Sequence, residues 1–437
     1  MGDDETETDD AIEVTVPASD QQRDWYGREG VHRNPDLIIS FRMSLTVGLT
    51  PEVCRNVADK LIRRHGALRT SFAVSDGVVY QRVHRDLPDT YFWHEDLRRA
   101  SGDERAGRYA DLVRRERGTG FDLERVPLVR VGLIRMSDDH AVVSMTMHHI
   151  VADGWAVDIL RREFVELLAA ELAGEPDQLP PAMQCHEWSE AERRWAAGAE
   201  AAGQLEHWGR TLAPVRPLAV PVTRKTDQVG WFDHAEIRVP TGPLVDEKLR
   251  AAARTLRATA PMLTLSAYLK LLSTVTGLDT VATLTMVTGR SMPGYDTVVG
   301  SLTNVLTVHV EGALGRTAAE LVPQLRDRLV AAYAHQRIFV SRVWDRSHLD
   351  PGDVDSLFIF DAVRQEPSRP GPLRLAVAPQ EPPRSFRRQG SWWENFKFRY
   401  IAAGDESAVT VEYNANMFDE DFIRSIVADY LECLGTL

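Results

Sequence analysis

The chain has 437 residues and a formal net charge of −13, long enough for more than one core and too acidic for nucleic acid or an anionic membrane to be its main partner. No apolar run is long enough to span a bilayer and the acidic N-terminus lacks an apolar signal core, which predicts a cytoplasmic protein. Cys54, Cys185 and Cys433 stand far apart with no metal-ligand spacing, so reduced structural thiols and no metal site are expected.

Residues 1–11 read as a disordered acidic tail carrying Asp3, Asp4, Glu5, Glu7, Asp9 and Asp10. Thr50-Pro51-Glu52 is a helix start, with Val53, Val57, Leu61 and Ile62 as its buried stripe and Gly66 able to end it. Leu68 to Phe72 reads as extended. Residues 127–136 and 141–149 look like two strands joined by the turn Ser137-Asp138-Asp139-His140. In the second strand Val143, Met145, Met147 and His149 share one face, while Val142, Ser144, Thr146 and His148 share the other. Its two histidines would therefore point in opposite directions, one toward substrate and one into structure. From Trp155 the period becomes helical, with Ile159, Leu160, Phe164, Leu168 and Leu172. The stretch 173–182 is linker-like, and a polar helix over 187–212 follows. Beyond it the pattern predicts a helix at 262–276, strands near 280–287 and 303–311, and a helix at 317–335. Strands near 355–362, 394–402 and 407–413 and a last helix at 419–434 complete the chain. Both halves mix strands and helices, which predicts two α/β lobes, 12–182 and 183–437.

The chemistry-bearing run is His148-His149-Ile150-Val151-Ala152-Asp153-Gly154, followed by Trp155. Gly154 falls at a helix start, where unpaired N–H groups and the positive dipole end favour negative charge. An imidazole base beside such donors suits attack on a carbonyl and its developing oxyanion. Read alone, the run also fits two buried, hydrogen-bonded histidines and an aspartate helix cap.

Other segments join this run in order. They are SDQQRDWY (19–26), RRHGALRTSF (63–72), FDLERVPLVRVGLIR (121–135), GRSMPGYDTVVGSLTNVL (289–306), AYAHQ (332–336) and YNANMFDEDFI (413–423). Together with HHIVADG they resemble the condensation domains of nonribosomal peptide synthetases nearly end to end. The resemblance implies two chloramphenicol-acetyltransferase-like lobes in a V, a pseudo-dimer with a tunnel between them. It implies no bound cofactor: a phosphopantetheine arm would be delivered by an acyl-loaded peptidyl carrier protein, and a small-molecule or carrier-bound acceptor would meet it. His149 would serve the acceptor's attack, His148 would be its structural partner, and Asp153 would pair with Arg290. Gly154 would leave room for the thioester and turn its N–H toward the reacting carbonyl. Arg69 would be a second structural arginine near the same site, and Asn304 and Trp155 would line the substrate path. By residue type alone, Arg290 and Arg69 also fit surface charges and Asn304 a strand end.

Departures from the family pattern are Gly66 in place of glutamate, Ser301-Leu302-Thr303 before Asn304, Arg337-Ile338-Phe339 after His335-Gln336, and Ala415. Those after residue 300 are expected on the second lobe, at the acceptor side; Trp392, Trp393 and Phe396, behind the basic run Arg384, Arg387 and Arg388, fit either the lining of an acceptor channel or the core packing of a loop. Both histidines are kept, unlike in heterocyclising relatives, and Val310 to Arg316 only superficially resembles an epimerising segment. The expected protein is a monomeric acyltransferase forming an amide or an ester, a free-standing enzyme in preference to an excised domain. A polyketide-associated O-acyltransferase and a silent recruitment module are the competing readings. Arg161-Arg162 and the run at 384–388 are candidates for docking an acidic carrier.

Overall fold

A computed structural model describes residues 11–29, 37–218, 220–224, 231–349, 353–354, 356–362, 375–377, 387–389, 396–403 and 406–437. Residues 1–10 of the acidic segment, Arg384 and Trp392-Trp393 lie outside them, as do the side chains of Arg387 and Arg388. In chain order the strands are β1 (Ile12–Pro17), β2 (Ile38–Leu45), β3 (Thr70–Ser75), β4 (Val78–His84), β5 (Phe92–Asp96), β6 (Val129–Arg135), β7 (Ala141–His148), β8 (Trp231–Pro240), β9 (Val281–Val287), β10 (Asn304–Val310), β11 (Leu357–Ala362), β12 (Leu375–Val377), β13 (Arg387–Gln389), β14 (Phe396–Ala402) and β15 (Ala408–Asn414). The helices are α1 (Asp20–Glu29), α2 (Pro51–Arg64), α3 (Gly102–Gly118), α4 (Gly154–Ala173), α5 (Cys185–Ala196), α6 (Ala199–Leu212), α7 (Pro243–Thr255), α8 (Ala260–Thr276), α9 (Ala318–Ala334), α10 (Val340–Trp344) and α11 (Glu420–Gly435).

The described chain forms two compact units. The first runs to Gly198 and takes back Arg290–Thr303 and Pro367–Gln380; the second holds Ala199–Gly289, Asn304–Glu366 and Glu381–Leu437. A boundary at 182 therefore falls inside the first unit. The reason lies in α5, whose Trp188 is buried and whose Ser189 donates to the carbonyl of Pro17. Just before it, Gln184 accepts from the Gly66 amide and donates to the Arg64 carbonyl, so the linker ends pinned to the unit it was expected to leave. The helix expected over 187–212 breaks at Ala197-Gly198 into α5 and α6.

In the first unit a five-stranded sheet has the order β12-β2-β7-β6-β5, with β2, β7 and β6 antiparallel and β5 parallel to β6. Every residue of β7 is buried. One face, with Val143, Met145 and Met147, joins the core made with α2 and α4, where Val57, Leu61, Leu160 and Phe164 sit. The other face carries Val142, packed with Leu97, Leu112 and Ile134. Coverage on both sides explains why β7 buries Ser144 and Thr146 as well. Thr50 caps α2, accepting from the Val53 amide at 3.3 Å. Gly66–Arg69 forms a 3-10 turn and not the start of a strand, its geometry fixed by the Thr70 hydroxyl donating to the Gly66 carbonyl at 2.8 Å. A latch holds α4 to the end of α2: Glu163 accepts from Arg64 at 2.9 Å and lies 2.6 Å from the His65 ring nitrogen.

The second unit is a seven-stranded sheet, β10-β9-β11-β14-β15-β8-β13, whose core with α7, α8, α9 and α11 includes Tyr268, Phe358, Phe398 and Tyr430. Phe396 packs in that core at 1% exposure, the core-packing reading of the two.

Candidate active site

The strand carrying the histidines stops one residue earlier than its alternation predicts. His148, the last residue of β7, is fully buried and its Nδ1 accepts from the Ile150 amide at 3.0 Å, which bends 149–151 into a single 3-10 turn. The two imidazoles therefore part because the backbone turns, not because a strand alternates. His149 is half-buried on that turn, its ring stacked on the Trp25 indole with centroids 4.4 Å apart and planes at 17°. Trp25 in turn donates through Nε1 to the Ser301 hydroxyl at 2.9 Å.

Asp153 caps α4 and is saturated. Its carboxylate accepts from the Ala156 amide at 2.9 Å, from both Arg290 terminal nitrogens at 2.8 and 3.0 Å, from the amides of Leu302 and Thr303 at 2.9 Å each, and from the Thr303 hydroxyl at 3.0 Å. Both charged side chains are 1% exposed. Burial alone would raise this carboxyl, but the guanidinium and the amide donors outweigh it and hold it below the ordinary carboxylate range. Arg290 also donates to the carbonyls of Val298 and Gly300. The run Ser301-Leu302-Thr303 thus belongs to the first unit, wrapped around Asp153, and not to the second lobe where it was expected. Gly300 is a glycine for want of space: a Cβ there would lie 2.6 Å from the Cys185 sulfur.

Gly154, the first residue of α4, is exposed, and a Cβ on it would meet nothing within 4 Å. Trp155 is 42% exposed; its Nε1 donates to the Asp296 carbonyl at 3.1 Å and its ring lies 5.9 Å from the Arg290 guanidinium. Burial pushes the thiols of Cys54 and Cys185 up to about 12, so both stay protonated at neutral pH and neither supplies a thiolate nucleophile.

Two further expected site residues spend their side chains largely on backbone. Arg69 donates to the carbonyls of Ile62, His84 and Arg85 and pairs with Glu13 at 3.2 Å, clamping the end of α2 to β4. Its role there is structural, as the resemblance implies. Asn304 is 2% exposed, and its amide is spent on backbone: Nδ2 donates to the carbonyls of Gln336 and Ile338, and Oδ1 accepts from the amides of Val305 and Val340. Its side chain thus holds the 336–340 loop within the second unit. Of the docking arginines, Arg161 is 13% exposed and paired with Asp158, while Arg162 is exposed. Trp25, Ser301 and Thr303 were given no role from sequence, although Trp25 stands in the quoted opening segment and Ser301 and Thr303 in the departure before Asn304.

A family model described as Condensation domain matches residues 12–437. The chain belongs to the condensation domain family. Among curated proteins it is 32% identical over 324 residues to malpibaldin synthetase of Mortierella alpina, covering 72% of this chain and 6% of that protein. To tyrocidine synthase 3 of Brevibacillus parabrevis it is 27% identical over 393 residues, 87% of this chain and 6% of that one. The chain spans 2–6% of the length of the first curated relatives it matches. The crystal structure of SgcC5 from Streptomyces globisporus superposes with a TM-score of 0.79 at 23% identity, covering 96% of this chain and 98% of that one. The mixed α/β architecture is therefore that of condensation domains, a family of nonribosomal peptide and antibiotic biosynthesis that acts on carrier-tethered substrates. Among the described residues no cluster of three or more His, Cys, Asp or Glu is placed to hold a metal ion, and no helix is long and apolar enough to cross a membrane.

Proposed function

We propose that this condensation domain is an acyltransferase that moves a carrier-tethered acyl or aminoacyl group onto an amine or a hydroxyl, with His149 as the assisting base. The observation that carries the reading is a contrast of accessibility. His148 is sealed and occupied with the Ile150 amide, Asp153 has six donors on two oxygens, and His149 alone of the three reaches solvent, a few residues before the open Gly154. In the step proposed, the acceptor nitrogen or oxygen attacks the thioester carbonyl and passes a proton to the His149 imidazole. The carbon–sulfur bond then breaks and the proton leaves on the phosphopantetheine thiol, giving an amide or ester and a free thiol. A first-turn N–H of α4 at Gly154 is the donor closest in sequence for the developing oxyanion. Asp153 and Arg290 hold the turn in place and take no proton.

The reading carries with it the two-lobed tunnel that the family resemblance implies, a monomer, and a cytoplasmic location, for which three free cysteines are support. Carrier protein loaded with a panel of acyl groups, incubated with amine and alcohol acceptors and read by product mass, tests it. An amide or ester product supports the reading and its mass tells an amine-using condensation enzyme from an O-acyltransferase. A folded protein that yields neither, with every loaded carrier intact, points to a silent recruitment module.

A further inference from the structure

We propose that Trp25, tethered by Ser301, is the positioning residue that fixes the working orientation of the His149 imidazole; this rests on the base role given to His149 above. A half-buried histidine on a single 3-10 turn has two rotatable side-chain bonds, and proton transfer demands that one ring nitrogen point at the acceptor. The indole covers one face of the ring at 4.4 Å and 17°, which fixes the ring plane and leaves the nitrogens at its edge. The same π-face favours the imidazolium formed once the proton is taken.

The indole is itself anchored at both ends. On its own helix, Ser19 and Gln22 bond reciprocally at the start of α1, with 2.9 Å from the Ser19 amide to the Gln22 side chain and 3.1 Å from the Gln22 amide to the Ser19 hydroxyl. On the far side Nε1 is bonded to Ser301, a residue 1% exposed whose next two amides lie on Asp153 Oδ2 and whose preceding carbonyl accepts from Arg290. The buried ion pair thus reaches His149 by a chain of direct contacts: Asp153, the 301–303 backbone, the Ser301 hydroxyl, the indole, the imidazole. This gives the serine before Leu302-Thr303 a function that its departure from the family pattern left open.

The test combines steady-state kinetics on acyl-loaded carrier with the NMR resonance of the His149 ring Cε1 proton, which the indole face displaces upfield. Trp25→Leu is expected to lower kcat about tenfold or more with KM for the carrier nearly unmoved, and to abolish the upfield displacement. Trp25→Phe, which keeps an aromatic face, is expected to retain kcat within about threefold of the parent, the range of a modest lost hydrogen bond. Ser301→Ala should fall between the two. Added to Trp25→Phe it should cost nothing more, because the bond it removes is already gone. A folded Trp25→Leu with unchanged kcat and an unmoved resonance, while His149→Ala is inactive, overturns the proposal and leaves the base role intact. An active His149→Ala instead overturns the base role, and with it the link from ring orientation to rate. Should Trp25→Leu fail to fold, an unmoved resonance and unchanged kcat in Ser301→Ala overturn the proposal.

Discussion

At the scale of single residues, the chemistry is divided by how fully each polar group is spent. Asp153 is a structural anion because no lone pair is left over for a proton from substrate. Removing its partner in Arg290→Ala leaves a buried charge uncompensated and is expected to cost about 3–5 kcal/mol, read as a fall in Tm or in the urea midpoint. Because the Asp153 carboxyl is held below its unfolded value of about 3.9, the stability it lends is complete above that pH and fades as the pH falls through the lower folded value. Asp153→Asn should therefore be less stable at neutral pH and show a shallower acid limb. Gly154 gives the opposite pattern. A methyl there meets open space, so Gly154→Ala should keep its unfolding free energy within about 1 kcal/mol of the parent, since alanine suits a helix better than glycine. It should lose turnover if the thioester approaches over that residue; a fully active variant would remove the role given to that surface.

Among the elements, what was legible in the sequence is what local physics decides. The Thr50-Pro51 helix start, the 137–140 turn, the helical period after Trp155 and the open glycine at its start need only neighbours in the chain, and their bounds agree with the structure to within one or two residues. The charged helix α3 was missed because its three buried residues, Leu112, Val113 and Glu116, give almost no apolar stripe. The return of 290–303 to the first unit was missed because it is a tertiary event, made by one carboxylate collecting amides 149 and 150 positions away. Asn304, one residue further on, was left between a substrate contact and a strand end for the same reason: its partners in the 336–340 loop are 32 to 36 positions downstream. The Gly300 contact gives a test of that crossing. Gly300→Ala forces a Cβ against Cys185 and is expected to cost about 1–3 kcal/mol by overpacking. Cys185→Ala, which clears the space, should recover part of the loss in the double variant; no recovery would contradict the close contact.

Over the whole molecule, on the function proposed, stability and chemistry rest on different histidines. His309 on β10 is 1% exposed; burial, aided by the Arg328 charge, pushes its imidazole down to about 4 against the opposing pull of Glu311. Between that value and the unfolded value of about 6.5 the unfolded chain binds the extra proton, so stability must fall as the pH is lowered through this window. Thermal unfolding from pH 7 to 4 should show that slope in the parent and a flatter one in His309→Gln; equal slopes would contradict the assignment. His149 has no comparable part in the core, so its loss should leave folding alone. The most direct measurement is single-turnover transfer from an acyl-loaded carrier to its acceptor by the parent and by His149→Ala of equal Tm. The account expects the variant to be slower by about a hundredfold or more, the range of a lost general base; transfer at the parent's rate would contradict it.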